Sequence, residues 1–246
     1  MHSLLLALFV AFAVSQLATF VTTVYLHRTL SHRAIAVKPA VAWLFRLVLW
    51  LTTAIRPREW VAVHRKHHAF TDVEGDPHSP KLLGWVTVQF GNVGLYRKVA
   101  GDAAQVRRYA RDLPRDRWDR ALFDRSWLGL GLGITLLIVV FGPWVGLLAA
   151  VLHTAIYLLL NAAVNAVAHT FGERPHENTA TNLQWLAWLT SGEGLHNNHH
   201  AAPTSAKLAF TKREIDPAWP AIALATRLRL MSIRHADLKL KQPVAV

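Results

Sequence analysis

Fourteen histidines occur in 246 residues, and nine of them fall into four clusters. These are His27-Arg-Thr-Leu-Ser-His32, His64-Arg-Lys-His67-His68, Asn165-Ala-Val-Ala-His169 and His196-Asn-Asn-His199-His200. Positions i, i+3 and i+4 of a helix share a face, so His64, His67 and His68 are expected to present three imidazoles together, as are His196, His199 and His200. Asn165 and His169 also share a face. His27 and His32 are five apart and diverge on a straight helix, so the helix carrying them must end or kink between them. A lone His-x-x-His-His is often a solvated surface run; two copies beside two further clusters read as metal ligands. Nine imidazoles exceed the four ligands of a closed structural zinc site. Shared between two ions, they supply four or five nitrogens each and leave positions open. Imidazole alone does not choose among Fe, Zn, Cu and Ni, but high coordination with open positions favours iron and dioxygen chemistry. Asn165, one turn before His169, is placed to hold a metal-bound water. Glu59, Asp72, Asp76 and Glu193 lie near the clusters, as orienting partners for imidazole N–H groups or as ordinary solvated or capping carboxylates. His2, His78, His153, His176 and His235 lack such neighbours and are read as exposed or supporting, with Asp76-Pro77-His78 in a turn close to the site.

The charge map indicates which elements hold these residues. Hydrophobic residues make up 52% of the chain and charged residues 17%, against about 25% charged in a typical soluble domain, which excludes intrinsic disorder. No Lys, Arg, Asp or Glu occurs in residues 1–27 or 126–172. Of the 27 Lys and Arg, 18 fall between Arg28 and Arg125 and 9 between Arg174 and Lys241. Charge-free blocks alternating with basic blocks mark membrane spans whose basic loops are cytoplasmic. A nucleic-acid binder would interleave charge with its core helices, so the net charge of +12 is read as topology and no nucleic-acid partner is expected. With no Cys, disulfides, zinc ribbons, iron–sulfur clusters and thiol nucleophiles are excluded.

Residues 3–26 are long enough to cross a bilayer, and no basic segment or small-residue cleavage site marks them as a signal peptide. Residues 127–141 and 144–168 read as the arms of a helical hairpin turned at Gly142-Pro143. Residues 39–55 are short and carry Arg46, which suits an interfacial or re-entrant helix. All four clusters must meet on one side of the membrane, so 39–55 is expected to lie on or dip into the cytoplasmic leaflet. Segments 97–125 and 204–241 read as polar, mostly helical cytoplasmic structure broken at Pro114, Pro203 and Pro217. The expectation is a single all-α domain over residues 1–246: an integral membrane helical protein with three spans, one interfacial helix and a cytoplasmic helical cap holding a His-rich dimetal site.

At these residues the chain resembles the membrane fatty-acid desaturases, specifically the stearoyl-CoA (Δ9) desaturase-like branch. The matching stretches are His27 to Arg33, Glu59-Trp60 with His64 to His68, Asp76-Pro-His78-Ser79, Asn165 to Gly172, and Gly192-Glu-Gly-Leu-His196 to His200. They run in the family's order over residues 27–200. The resemblance implies a di-iron enzyme that introduces a cis double bond, at Δ9, into a saturated acyl chain with O2 and two external electrons. It also implies that His27, His32, His64, His67, His68, His169, His196, His199 and His200 ligate two iron ions, with Asn165 acting through water. The family usually has two spans before the first cluster, whereas 26 residues precede His27 here. No haem-binding cytochrome b5 domain is fused, so a separate donor, such as a ferredoxin or a cytochrome b5-like protein, is expected. It would dock over the basic run Arg107, Arg108, Arg111, Arg115, Arg117 and Arg120, and the acyl carrier is CoA, acyl-carrier protein or intact membrane lipid.

Two other functions compete. A di-iron hydroxylase would begin with the same attack on a C–H bond and yield an alcohol. A His-rich metal transporter or sensor would place ionisable groups inside its spans, where only His153 lies deep. On the first span Ala7, Ala11, Ser15 and Ala18 form a small-residue stripe. It serves either close helix packing or the far end of an acyl tunnel, with Ala11 and Ser15 contacting substrate.

Overall fold

The computed structural model describes residues 2–236. An uncharged apolar run without a breaker gives one helix, α1 (His2–Val21), which continues through Thr22–Ser31 with the wider i to i+5 hydrogen bonding of a π-helix. After β1 (Ile35–Val37) come α2 (Pro39–Thr52), α3 (Pro57–Phe70), α4 (Pro80–Leu83), α5 (Trp85–Ala100) and α6 (Ala103–Tyr109). A hairpin of α7 (Ser126–Phe141) and α8 (Pro143–Ala166) follows, turned on Gly142 at a φ of 83° that favours glycine. Short helices α9 (Gln184–Leu189), α10 (His196–Ala201) and α11 (Trp219–Arg227) lead to β2 (Met231–Ile233). Proline opens α2, α3, α4 and α8, where its missing N–H forfeits no helical bond.

Small residues decide how these helices meet. Ala7, Ala11, Ser15 and Ala18 are all buried, and the α1 stripe packs on α8 around Ala149. Ser15 Oγ stands 2.9 Å from His153 Nδ1, and Thr22 Oγ1 stands 2.7 Å from Tyr157 Oη. Contacts at 15–153 and 22–157 mean that α1 and α8 run in the same direction. On the other side α2 presses against α7 at Gly129 and Gly133, where a Cβ would overlap Trp50 and the Leu51 carbonyl. His153 Nε2 donates to the carbonyl of Thr52 at 2.8 Å, so the end of α2 reaches the middle of α8.

Helices His2–Ser31 and Pro143–His169 are long and apolar enough to cross a membrane; α7, with 16 residues, is shorter, and α2 and α3 meet at 90°. One expectation needs correction, and two elements were not foreseen. The fold is mostly helical, with one short antiparallel ribbon added, in which Ile35↔Ile233 and Val37↔Met231 pair over the buried core. Residues 204–218 are irregular rather than helical. Their amides are taken by side chains: Glu214 accepts from Phe210 and Thr211, and Asp216 from Leu208 and Ala218. Residues 237–241 of that segment lie outside the described residues. Finally, α5 is a 16-residue helix that hydropathy did not announce.

Candidate metal centre

The π-helical end of α1 is what brings His27 and His32 together. With i to i+5 bonding, residues five apart come nearly one above the other, and the two imidazoles stand edge to face at 4.8 Å. Ser31 Oγ bonds back to the Leu26 carbonyl and the His32 amide to the His27 carbonyl, both five residues earlier. The triplets on α3 and α10 do not each face one point, as their spacing alone had suggested. His64 and His68 join His27, His32 and His199 in one group of five; His67 joins His169, His196 and His200 in a group of four. One residue of each triplet has crossed to the other group, and the short turn Val167–His169 at the end of α8 delivers the ninth imidazole.

In each group the ligand-type atoms lie within 4.8 Å of one another. The Nε2–Nε2 separations are 2.8 Å for His32–His64, 2.9 Å for His68–His199 and 3.0 Å for His27–His199. In the second group they are 3.2 Å for His196–His200 and 3.3 Å for His67–His200. With metal–nitrogen bonds of about 2.0–2.1 Å, neighbouring ligand nitrogens stand about 3.0 Å apart in an octahedron and about 3.4 Å in a tetrahedron. The observed spacings are compatible with ligands around a shared cation.

Carboxylates stand behind three imidazoles. Glu193 accepts from His27 Nδ1 at 2.7 Å, Asp76 from His67 Nδ1 at 3.0 Å, and Asp72 from His169 Nδ1 at 2.9 Å. Each pairing keeps the proton on Nδ1 and turns a bare Nε2 lone pair toward the group, and His169 Nε2 has no hydrogen-bond partner among the described residues. Converging lone pairs are what a cation satisfies, so the donor set fits a metal. Burial would raise the carboxyls of Asp72 and Asp76, but hydrogen bonds from His169, Thr179 and Ser79 to the first and from His67 to the second hold both below their ordinary range. Burial, reinforced by neighbouring imidazoles, keeps His32, His64, His68, His196, His199 and His200 well below the ordinary 6.5. They are therefore neutral and available as ligands near pH 7.

A cavity adjoins both groups, lined by Thr19, Thr22, Thr23 and His27 of α1, Trp60 and His64 of α3, Asn92 and Tyr96 of α5, Asn161 and Asn165 of α8, and Glu193 and His196. Asn165 thus sits in the wall of the cavity that both groups border. Ala11 and Ser15 do not line this cavity; they are fully buried in the α1–α8 contact, which favours the packing account of the stripe. Glu59 pairs with Arg56 rather than with an imidazole. His78 is buried, lies 4.7 Å from His67 and is pushed down to about 3 by burial and by His67. Spacing had underrated it, although the Asp76-Pro77-His78 turn pointed to the site.

Arg28, the first cation after the charge-free residues 1–27, is fully buried. It grips Asp216 with two nitrogens at 2.7 and 3.0 Å and also donates to the carbonyls of Ser191 and Ala206. It ties the end of α1 to the segment that carries Glu193 and His196. No local signal marks Asp216, 188 positions away.

Apolar helices of spanning length that end on two adjoining imidazole groups, backed by carboxylates, define a class of helical proteins with a histidine-built metal centre. Comparison with known proteins narrows it. Residues 2–227 match the family model described as fatty acid desaturase. The chain is 34% identical over 83% of its length to 72% of the sn-2 palmitoyl-lipid 9-desaturase of Nostoc sp. (strain 36). It is 32% identical over 87% of its length to 69% of Delta-9 acyl-lipid desaturase 2 of Arabidopsis thaliana, and 34% over 86% to 68% of an acyl-CoA C20 Delta5-desaturase of Anemone leveillei. The chain belongs to the fatty acid desaturase family and is an oxidoreductase acting on acyl chains.

Proposed function

We propose that the protein is a multi-pass membrane desaturase that introduces a cis double bond, at Δ9, into a saturated acyl chain, its active site on the cytoplasmic side. Carbon–carbon dehydrogenation balances as –CH2–CH2– + O2 + 2 e− + 2 H+ giving –CH=CH– + 2 H2O, with the electrons supplied by a separate ferredoxin or cytochrome b5-like protein. His27, His32, His64, His68 and His199 would hold one iron; His67, His169, His196 and His200, with Asn165 through water, would hold the second. Bound iron would supply the activation of O2 against an unactivated C–H bond, which no side chain here can perform. The chain's own residues do the rest. Glu193, Asp76 and Asp72 orient three imidazoles, the cavity walls from Thr19 to Asn165 hold the chain beside both groups, and burial excludes bulk water. The observation that carries the reading is that one cavity is bordered by residues of both imidazole groups. Among the relatives, the names acyl-lipid 9-desaturase support the regiochemistry.

Expression in a desaturase-deficient host, with double bonds located by mass spectrometry, tests this. Monounsaturated chains at Δ9 are expected, lost in His67→Ala and His199→Ala. An alcohol in place of the double bond would make the protein a hydroxylase. Purified protein is expected to carry about two irons per chain, and full turnover by a zinc-only preparation would refute the iron assignment, since zinc has no redox chemistry.

A further inference from the structure

Granting that desaturase reading, two electrons must reach a centre that is closed off on most sides. Seven of the nine imidazoles are buried, including all four of the second group. The two that are half-buried, His32 and His68, both belong to the first group. Their rings meet edge to face at 4.6 Å. Each turns Nε2 onto a member of its own group, His32 toward His64 and His68 toward His199, which leaves the outer edges of the rings nearest to solvent. Ala69, next to His68, is exposed and too small to cover that edge.

Cations surround this opening. Arg65, on α3 beside His64, donates to the carbonyls of Leu30 and Ser31 on one side and of Tyr109, at the end of α6, on the other. That clamp sets the end of α6 against the turn that carries His32. Asp112 is shared between Arg33 and Arg65, so the three together keep a positive charge. Lys66, half-buried on α3, and Arg111, exposed after α6, have no carboxylate partner among the described residues. The second group is backed instead by the carboxylates of Asp76 and Asp72.

Electron transfer weakens steeply with distance. An imidazole that ligates through Nε2 extends the metal's orbitals to the far edge of its ring, so a ligand ring that reaches the surface is the shortest bridge to a docked carrier. Charge of one sign around such a ring draws in and orients a carrier of the opposite sign.

We propose that the His32–His68 edge is the electron port. An acidic one-electron carrier protein docks on Lys66, Arg111 and the Arg33–Asp112–Arg65 cluster, and its electrons enter at the first group. Each docking event oxidises the carrier by one electron and reduces one ferric ion to ferrous, and no bond of the chain is made or broken. Two events supply the two electrons that dehydrogenation consumes.

The docking is tested first without turnover. Zero-length carbodiimide coupling joins a carboxylate to a lysine amine only where the two touch. With oxidised plant-type ferredoxin as the probe on the purified full chain, peptide mass spectrometry is expected to find Lys66 coupled. Coupling at the exposed Lys98 or Lys212 in its place overturns the docking site. The port is tested by anaerobic stopped-flow reduction of iron-loaded protein by reduced ferredoxin, with no acyl substrate present. At about 0.1 M ionic strength, Lys66→Glu and Arg111→Glu are each expected to slow this reduction by about tenfold or more. Reduction by dithionite, which needs no docking, should be unchanged, and so should iron content. Lys66→Arg keeps the charge and should keep the rate while losing the coupling. Lys212→Glu makes the same charge change elsewhere and should leave the rate nearly as it was. Equal slowing by Lys212→Glu, or no slowing by either port variant, overturns the inference while the double bond can still form. A protein reduced through the port that forms no double bond leaves the port standing and refutes the desaturase reading.

Discussion

Glu193, Asp76 and Asp72 each hold one imidazole by the nitrogen that faces away from its group, so their removal should act on metal retention before it acts on the fold. Glu193→Gln, Asp76→Asn or Asp72→Asn keeps the shape but offers the imidazole a donor as well as an acceptor, and the fixed tautomer is lost. A 10–100-fold drop in metal affinity is the usual scale for such partners, to be measured as iron remaining per chain after dialysis against a graded chelator. Arg28→Gln should instead cost about 3–5 kcal/mol of stability, the scale for breaking a buried ion pair from one side, and lower the unfolding temperature in detergent. Acid should act through the imidazoles. Six have folded pKa values depressed below 6.5, so below that pH the unfolded chain binds protons that the folded chain refuses. Their contribution is complete above about pH 6.5 and is lost as pH falls. Unfolding temperatures of metal-free protein should therefore drop between pH 7 and 5. The nine imidazoles were legible because their spacing is local. Arg28 was not, and His78 only through its turn, because what each does depends on residues that only the fold brings near.

At the level of elements, hydropathy located α1, α2, α7 and α8 to within a few residues, since a long uncharged run has few other solutions. It could not find α5, whose Thr87, Gln89, Asn92 and two glycines dilute the apolar signal. The i, i+5 spacing of His27 and His32 demanded a departure from the α-helix; the π-helical form of that departure came from the structure. Packing makes two predictions here. Ser15→Phe should force α1 off α8, costing about 1–3 kcal/mol by overpacking, and leave the chain lengths of the products unchanged. A shift to shorter products with normal stability would restore the tunnel account of the stripe. Gly133→Ala should separate α7 from the Leu51 carbonyl, lowering the unfolding temperature while sparing iron content in the folded fraction.

For the whole molecule, the excess of positive charge sorts into engaged and free residues. Asp112 takes Arg33 and Arg65, Asp116 and Asp119 take Arg46, and Asp124 takes Arg115. Among the described residues no carboxylate pairs with Arg107, Arg108 or Arg111, and all three are exposed. Unpaired surface charge of one sign steers an oppositely charged partner, so these residues are where an acidic electron donor would dock. Arg108→Glu with Arg111→Glu should raise the KM for donor without changing iron content. Raising ionic strength from 0.1 M to 1 M, which shortens the Debye length from about 10 Å to about 3 Å, should slow donor-dependent turnover of the unaltered protein. Sequence gave the sum of the charge; only the ion pairs reveal which arginines remain available.

The exchange of one histidine between the two triplets has a consequence for how the protein is made. The first group draws four imidazoles from residues 27–68 and its fifth, His199, from α10, while the second draws His67 from α3 and the other three from residues 169–200. Neither the earlier nor the later stretch of chain contains a whole group. During synthesis the first four imidazoles leave the ribosome more than a hundred residues ahead of the fifth, and no complete nest exists until α10 has emerged and docked. Ions taken up by these nests would therefore be loaded late in biogenesis, and filling either nest would fasten the two stretches together and so prepare the other.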